Sequence, residues 1–269
     1  MLEISDILNM SLKELSGGAS PKREADSVKI DYSFNNHGYR CDEFKNQEIL
    51  FLGCSHTEGH GMPLELTWPY LLSKKMNKEY ISLAKGGDGA QAQIVKAFQF
   101  FEEFYNPKYI FAAFPITRLD IPLINLGSKN LFNRKMGKAI FENKLIQKFS
   151  KAPHQVEDVL PEEFAIYYNV LFIKMLIQYC KSNDIKLIWF HYNDTSVELP
   201  PFEDIYETCA PFKDFSLEGK PEGVCHKEFS DNIFFDHAAD YKYWPPGHWS
   251  FHQNIHISEY LYDIVNKEL

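Results

Sequence analysis

The sequence predicts an α/β fold: a three-layer α/β/α sandwich on a doubly wound parallel sheet of about five strands. Three observations carry that expectation. Unbroken apolar runs, Ile49-Leu50-Phe51-Leu52 foremost, read as strands buried on both faces of a parallel sheet. Stretches of helical periodicity separate these runs, so strand and helix alternate along the chain. The first run also stops abruptly at Gly53, with Ser55 just beyond it, as where a strand hands over to a helix.

Taken in order, the first strand is expected over 48–53 and the first long helix over 66–77, starting near Thr67. The second strand follows at 79–83. A helix over 89–104 is closed by Asn106-Pro107, because the residue before a proline is pushed out of helical backbone. The third strand covers 108–114. After Pro161 an amphipathic helix runs to about Ser182, Asn183-Asp184 turns the chain, and Ile185–Phe190 forms the fourth strand. A short fifth strand is expected at Ile233–Phe235 and a last helix over 250–267. All 269 residues read as one domain with an N-terminal extension, 1–45, and two insertions. The first, 121–160, carries Lys129, Arg134, Lys135, Lys138, Lys144, Lys148 and Lys151 against one acid, Glu142, up to Ala152, which reads as a basic lid or as a solvated helical face. The second, 195–231, is a long loop rich in Pro, Gly and acids.

Composition narrows the class. A net charge of −9 lacks the basic face of a general nucleic-acid binder. With 22 Phe and 15 Tyr the chain has ample aromatic area for a core or for a sugar-facing surface. Met1–Ser20 has acids at Glu3, Asp6 and Glu14 and no basic start before an apolar core, so it does not read as a secretory signal. No stretch approaches the ~20 apolar residues of a membrane span. The 5 cysteines are odd in number and widely spaced, which points to a reducing cytoplasm. The cytoplasm of an infected host reads the same for a virus-encoded chain.

Chemistry concentrates at Ile49–Pro63. Gly53, Gly59 and Gly61 permit tight turns and close approach of a ligand. A helix starting beyond Gly53 points free N–H groups toward charge developing beside Ser55. The plain alternative is a strand-to-loop turn with a surface serine. Cys54 is a rival nucleophile, since a thiolate near a helix N-terminus is activated, or else simply a buried thiol. His248, His252 and His256 recur every four residues, as do His56 and His60, which is zinc-like spacing, but neither set has the Glu of His-Glu-x-x-His. His191, with Asn193-Asp194, follows the fourth strand and reads as pocket lining or a loop cap.

From Phe34 to Asp120 the chain resembles the SGNH (GDSL-like) hydrolase family. Asn35-Asn36-His37-Gly38-Tyr39-Arg40 is similar to an element that often precedes the family's first strand. Gly53-Cys54-Ser55-His56-Thr57-Glu58-Gly59 resembles the first block, Gly-Asp-Ser-x-Thr-x-Gly, with Cys54 where Asp is usual. The second block is matched by Ile81–Gly89, with Gln91 or Gln93 opening the next helix. At the third block, where the family has Gly-x-Asn-Asp, this chain reads Pro115-Ile116-Thr117-Arg118-Leu119-Asp120. Gly247-His248-Trp249-Ser250, with Asn254 six residues after the His, is similar to the last block, although Pro245 and Pro246 stand where an Asp is expected.

The resemblance implies a flavodoxin-like sheet and a serine ester hydrolase acting through an acyl-enzyme. It makes Ser55 the nucleophile and His248 the base, with His252 as rival. Asp240 orients the imidazole, with Asp236 in reserve. The backbone N–H groups of Ser55 and Gly87, with Thr117 or Arg118 replacing the missing Asn, form the oxyanion hole. Ser55, Gly87, Thr117, Asp240 and His248 each follow a predicted strand end, where sites in such sheets lie. No metal or organic cofactor is needed, and the implied partner is a small-molecule or glycan ester. Two other readings share these residues: an O-acyltransferase, and a weakened family member kept as a carbohydrate- or partner-binding module. Oligomeric state is not written in the sequence.

Overall fold

The computed structural model of the chain describes residues 22–25, 28–116, 162–191, 248–249 and 251–268. An antiparallel hairpin of β1 (Lys22–Ala25) and β2 (Val28–Asp31) comes first; it falls in the stretch read from sequence as an extension. The main sheet holds β3 (Ile49–Leu52), β4 (Tyr80–Ser82), β5 (Tyr109–Phe114) and β6 (Lys186–His191), all parallel, in the spatial order β4-β3-β5-β6. Ile49 pairs with Tyr80 on one side and Tyr109 on the other, so β3 is interior and the winding reverses between β3 and β5. That reversal makes the switch-point crevice at the carboxyl ends of β3 and β5 the natural place for a ligand.

Helices cover both faces, which is why the strands are apolar throughout rather than alternating. Leu50, Leu52, Ile110, Ala112, Phe114, Leu187 and Trp189 pack with Ile94 and Phe100 of α3 (Ala90–Glu103) and Val170, Ile173 and Ile177 of α4 (Glu162–Ser182). The intervening residues Ile49, Phe51, Phe111, Ala113, Ile188 and Phe190 pack on the other side with Trp68 and Leu72 of α2 (Trp68–Met76) and Ile257, Leu261 and Val265 of α5 (Phe251–Glu268). The three-layer α/β/α architecture expected from sequence is therefore present, with four parallel strands among the described residues. Observed bounds fall within about two residues of the predicted ones, the usual scatter of helix and strand ends.

Local chemistry explains the ends. Asn77 closes α2 in the left-handed region at φ +50°, and Asp184, at +55°, turns the chain from α4 into β6. α2 starts with the Trp68 N–H donating to Asn254 Oδ1 at 2.8 Å, so a residue of α5 satisfies a donor that the first turn leaves open. The expected strand at 233–235 and the stretches 121–160 and 195–231 lie outside the described residues. Among the described residues no helix is long and apolar enough to cross a membrane.

Candidate active site

The end of β3 determines how Ser55 is presented. A Cβ on Gly53 would lie 2.1 Å from Thr57 Oγ1 and 3.2 Å from the Ala113 carbonyl oxygen, so only glycine fits between α1 (Ser55–Glu58) and β5. The Gly53 N–H donates to Gln93 Oε1 at 3.0 Å. Ser55 is half-buried, its Oγ 3.7 Å from Cys54 Sγ, and Cys54 is buried.

Beyond α1 the chain is held by the segment before β3. Arg40 Nη1 donates to the carbonyls of Glu58 and Gly59 at 2.9 and 2.7 Å, and Nη2 to Met62 at 2.7 Å. The guanidinium lies 3.8 Å above the Tyr32 ring, and Tyr32 Oη both donates to the Gly59 carbonyl and accepts the Gly61 N–H. Burial pulls the Arg40 pKa below its ordinary value, opposed by Tyr32 and Glu58. Asn35 shapes the approach to Arg40 through an Asx turn, its Oδ1 accepting the N–H groups of His37 and Tyr39. The Asn35–Arg40 element thus works as a clamp on the loop after the serine.

Gly59 sits at φ +76°, and a Cβ there would lie 2.2 Å from Thr67 Cγ2 and 3.0 Å from Arg40 Nη1. Gly59→Ala is therefore expected to cost roughly 2–4 kcal/mol, from left-handed backbone plus overpacking. Urea titration of wild type and variant measures it; a midpoint shifted by less than the equivalent of about 0.5 kcal/mol contradicts this account of the clamp.

A second turn approaches from β4. Lys85 donates its backbone N–H to the Gly53 carbonyl at 3.2 Å, and the Gly86 N–H reaches Glu58 Oε2 at 2.7 Å. Gly87 follows at φ +99°. The next residue, Asp88, is fully buried with Lys96 at 2.5 Å, and Gln93 Nε2 donates to the same carboxylate. Gln93 thereby ties the second turn to Gly53. The third edge of the crevice, after β5, is anchored by Asn169, whose Nδ2 donates to the Ile116 carbonyl at 2.6 Å while its Oδ1 accepts from Gln91 Nε2 at 2.6 Å.

His248 reaches this place from the far end of the chain. Its ring lies 5.0 Å from that of His56 and stacks on His60 at 4.5 Å and 15°. Trp249, packed in the core against Phe190, donates its N–H to His56 Nδ1 at 3.3 Å. An Nδ1 that accepts a backbone N–H carries no proton, which assigns His56 to holding the C-terminal segment. His248 is half-buried, with its ring against His56 and His60 in the stretch that follows Ser55.

Of the residues expected from sequence, Ser55, Cys54, Gly87 and His248 fall in or against the two turns. Thr117, Arg118, Asp236 and Asp240 lie outside the described residues, as does the side chain of His252 at the start of α5. His191 ends β6 and is buried. Among the described residues no group of three His, Cys, Asp or Glu side chains is arranged to hold a metal ion. Burial pushes the thiols of Cys41 and Cys180 up to about 12, as for inert core groups. Glu58, Lys96 and Asn169 escaped the sequence reading; an ionisable or amide residue inside an apolar helical stripe, as Lys96 and Asn169 are, was the available signal. A cavity of about 570 Å³ lined by Asp42, Tyr70, Lys78 and Tyr80 lies at the amino ends of the strands and includes none of the expected site residues.

No protein-family model matches the chain, and no curated protein matches it. Among solved structures it is similar to a protein assigned to the G-D-S-L lipolytic family from Desulfitobacterium hafniense DCB-2, at 16% identity and a TM-score of 0.31, over 60% of this chain and 66% of that one. It therefore spans just under two thirds of that neighbour's length. It is also similar to the psychrotrophic esterase EstA from Pseudoalteromonas sp., at 14% identity and a TM-score of 0.44, over 81% of this chain and 96% of that one.

Proposed function

We propose that the chain is a serine ester hydrolase that forms an acyl-enzyme on Ser55, acting on a small ester or an acylated carbohydrate. The observation that carries this reading is the contact between the C-terminal segment and the serine turn: Trp249 bonds His56, 193 residues away in sequence, and sets the His248 ring beside the residues that follow Ser55. A serine hydroxyl is a weak nucleophile until a neighbouring base takes its proton, and neutral imidazole suits that task near pH 7.

In the proposed cycle His248 takes the Ser55 proton as Oγ attacks the ester carbonyl carbon. The oxyanion is met by the backbone N–H groups of Ser55 and Gly87, with Thr117 or Arg118 as a third donor. His248 then protonates the leaving alcohol, and the reverse sequence with water releases the acid. Transfer of the acyl group to another hydroxyl uses the same residues. Asp240, or Asp236 in its place, orients the imidazole. The backbone N–H groups of Ser55 and Gly87 donate no hydrogen bond among the described residues, which supports their part in this scheme.

The test is labelling with a fluorophosphonate, together with hydrolysis of a p-nitrophenyl ester series. Stoichiometric phosphonylation of Ser55 supports the enzyme; folded protein that takes no label favours the binding-module reading. If His248 is the base, kcat/KM falls on acidification, because imidazolium cannot accept the proton. His248→Gln is expected to lower kcat by about 10³–10⁴ and to abolish that limb of the profile. An unaltered limb in the variant assigns the ionisation elsewhere.

A further inference from the structure

Glu58 is the last residue of α1, one helical turn from Ser55, and is only 4% exposed. A buried carboxylate is costly unless its charge and lone pairs are matched, and an apolar residue would fill the space more cheaply. Here each oxygen has a named partner. Oε2 accepts the Gly86 N–H at 2.7 Å, and Oε1 lies 3.8 Å from Lys85 Nζ. Lys85 Nζ in turn donates to the Gly38 carbonyl at 2.8 Å. The sheet ladder stops short of this turn: β3 pairs with β4 only through Ser82, and the backbone bonds from Leu83 to Phe51 and from Lys85 to Gly53 extend the contact no further than Lys85. The Asp88 N–H donates to the Lys85 carbonyl at 3.1 Å and closes the turn; Gly86 and Gly87 carry no side chain to pack, and the Glu58 carboxylate is the side chain that holds the Gly86 N–H within it. The peptide that follows carries the N–H of Gly87.

We infer that Glu58 is a positioning residue for the oxyanion site: its carboxylate holds the Gly86 N–H and thereby aims the Gly87 N–H at the oxygen that becomes the oxyanion when Ser55 attacks, while Lys85 balances the buried charge. The inference rests on the ester-hydrolase reading for its catalytic consequence, but not for its structural one. Glu58 acts through the Gly86 peptide. Its role is set by hydrogen-bond reach rather than by charge.

Two variants of the full chain separate reach from charge. Glu58→Asp keeps the charge and withdraws the oxygens by one methylene; Glu58→Gln keeps an acceptor in place and removes the charge. With kcat expressed per fluorophosphonate-titrated site, so that misfolded molecules drop out, E58D is expected to lose about 30–100-fold in kcat with KM within about twofold, as for an oxyanion donor moved by about 1 Å. E58Q is expected to stay within about fivefold of wild type. Amide exchange of the peptide spanning residues 84–89 is read in parallel, and in E58D it is expected to quicken about tenfold or more, with E58Q close to wild type.

Wild-type kcat in E58D overturns the inference. So does a loss in E58Q that E58D escapes, which would make the Lys85 ion pair the operative feature. Should wild type take no label at Ser55, the hydrolase reading falls, and the exchange experiment decides the positioning alone: unchanged exchange in E58D refutes it, and faster exchange confined to 84–89 sustains it.

Discussion

Ser55→Ala is expected to remove fluorophosphonate labelling entirely and to lower ester hydrolysis by about four orders of magnitude or more, with thermal stability essentially unchanged. The size follows from the way nucleophile and base act as a unit: without the hydroxyl, the base and the oxyanion donors can assist only a direct attack by water. The stability expectation follows from the site. Ser55 is half-buried, and among the described residues its Oγ makes only a weak 3.7 Å contact with Cys54 Sγ, so truncation opens no core cavity and strands no strong hydrogen bond there. Steady-state kinetics and intact-mass analysis of the two proteins measure both parts. Label retained on S55A would shift the nucleophile to another group, with Cys54 first to be examined, and loss of activity only in parallel with loss of fold would withdraw the assignment.

Lys96→Met is expected to be among the most destabilising single changes in the chain, at about 3–5 kcal/mol, because it leaves Asp88 as a buried charge without its cation. Both side chains are fully buried, and the pair lies 2.5 Å apart. For a domain of this size the loss corresponds to a fall of roughly 6–20 °C in Tm. Adding Asp88→Asn to Lys96→Met should recover a large part of it, since the unmatched charge is then gone. A double-mutant cycle by urea unfolding tests this, and a Lys96→Met variant within about 1 kcal/mol of wild type would contradict it. Asp88 also accepts from Gln93, whose Oε1 holds the Gly53 N–H, so the pair is linked through one side chain to the strand end that presents Ser55. Activity is expected to fall alongside stability in the single variant.

The architecture was largely legible because its signal is local. Ile49–Leu52, Tyr109–Phe114 and Lys186–His191 are apolar nearly from end to end, which is what a strand covered on both faces requires. Asn183-Asp184 marked a turn because those side chains tolerate left-handed backbone, and Asp184 adopts it. The hairpin at Lys22–Asp31 was missed, for its two strands are only four residues each: Lys22–Ala25 shows no apolar alternation, and that of Val28–Asp31 is too short to stand out. The serine turn and the C-terminal histidine were legible as short blocks. Their meeting was not, because proximity across 193 residues depends on how Trp249 and α5 pack against β6 and α2.

What lay hidden were the groups whose role is to hold others. Nothing in the spelling of the chain distinguishes Asn254 as the acceptor for the Trp68 N–H, or Asn169 as the link between Gln91 and the Ile116 carbonyl. Each joins segments far apart in sequence, and hydrogen-bond partners are chosen by distance in space.

By itself the sequence determined the layer order, the place of the strand ends and the presence of a serine between glycine turns, since apolar period and backbone freedom are properties of neighbouring residues. Only the tertiary structure decided that Arg40 clamps the loop after Ser55, that Glu58 faces Gly86, that Lys96 is sealed in with Asp88, and that His248 lies against His56 and His60. The reason is physical: burying a charge or aiming a ring is favourable only once every wall of its site is in place, and those walls come from parts of the chain that sequence order keeps apart.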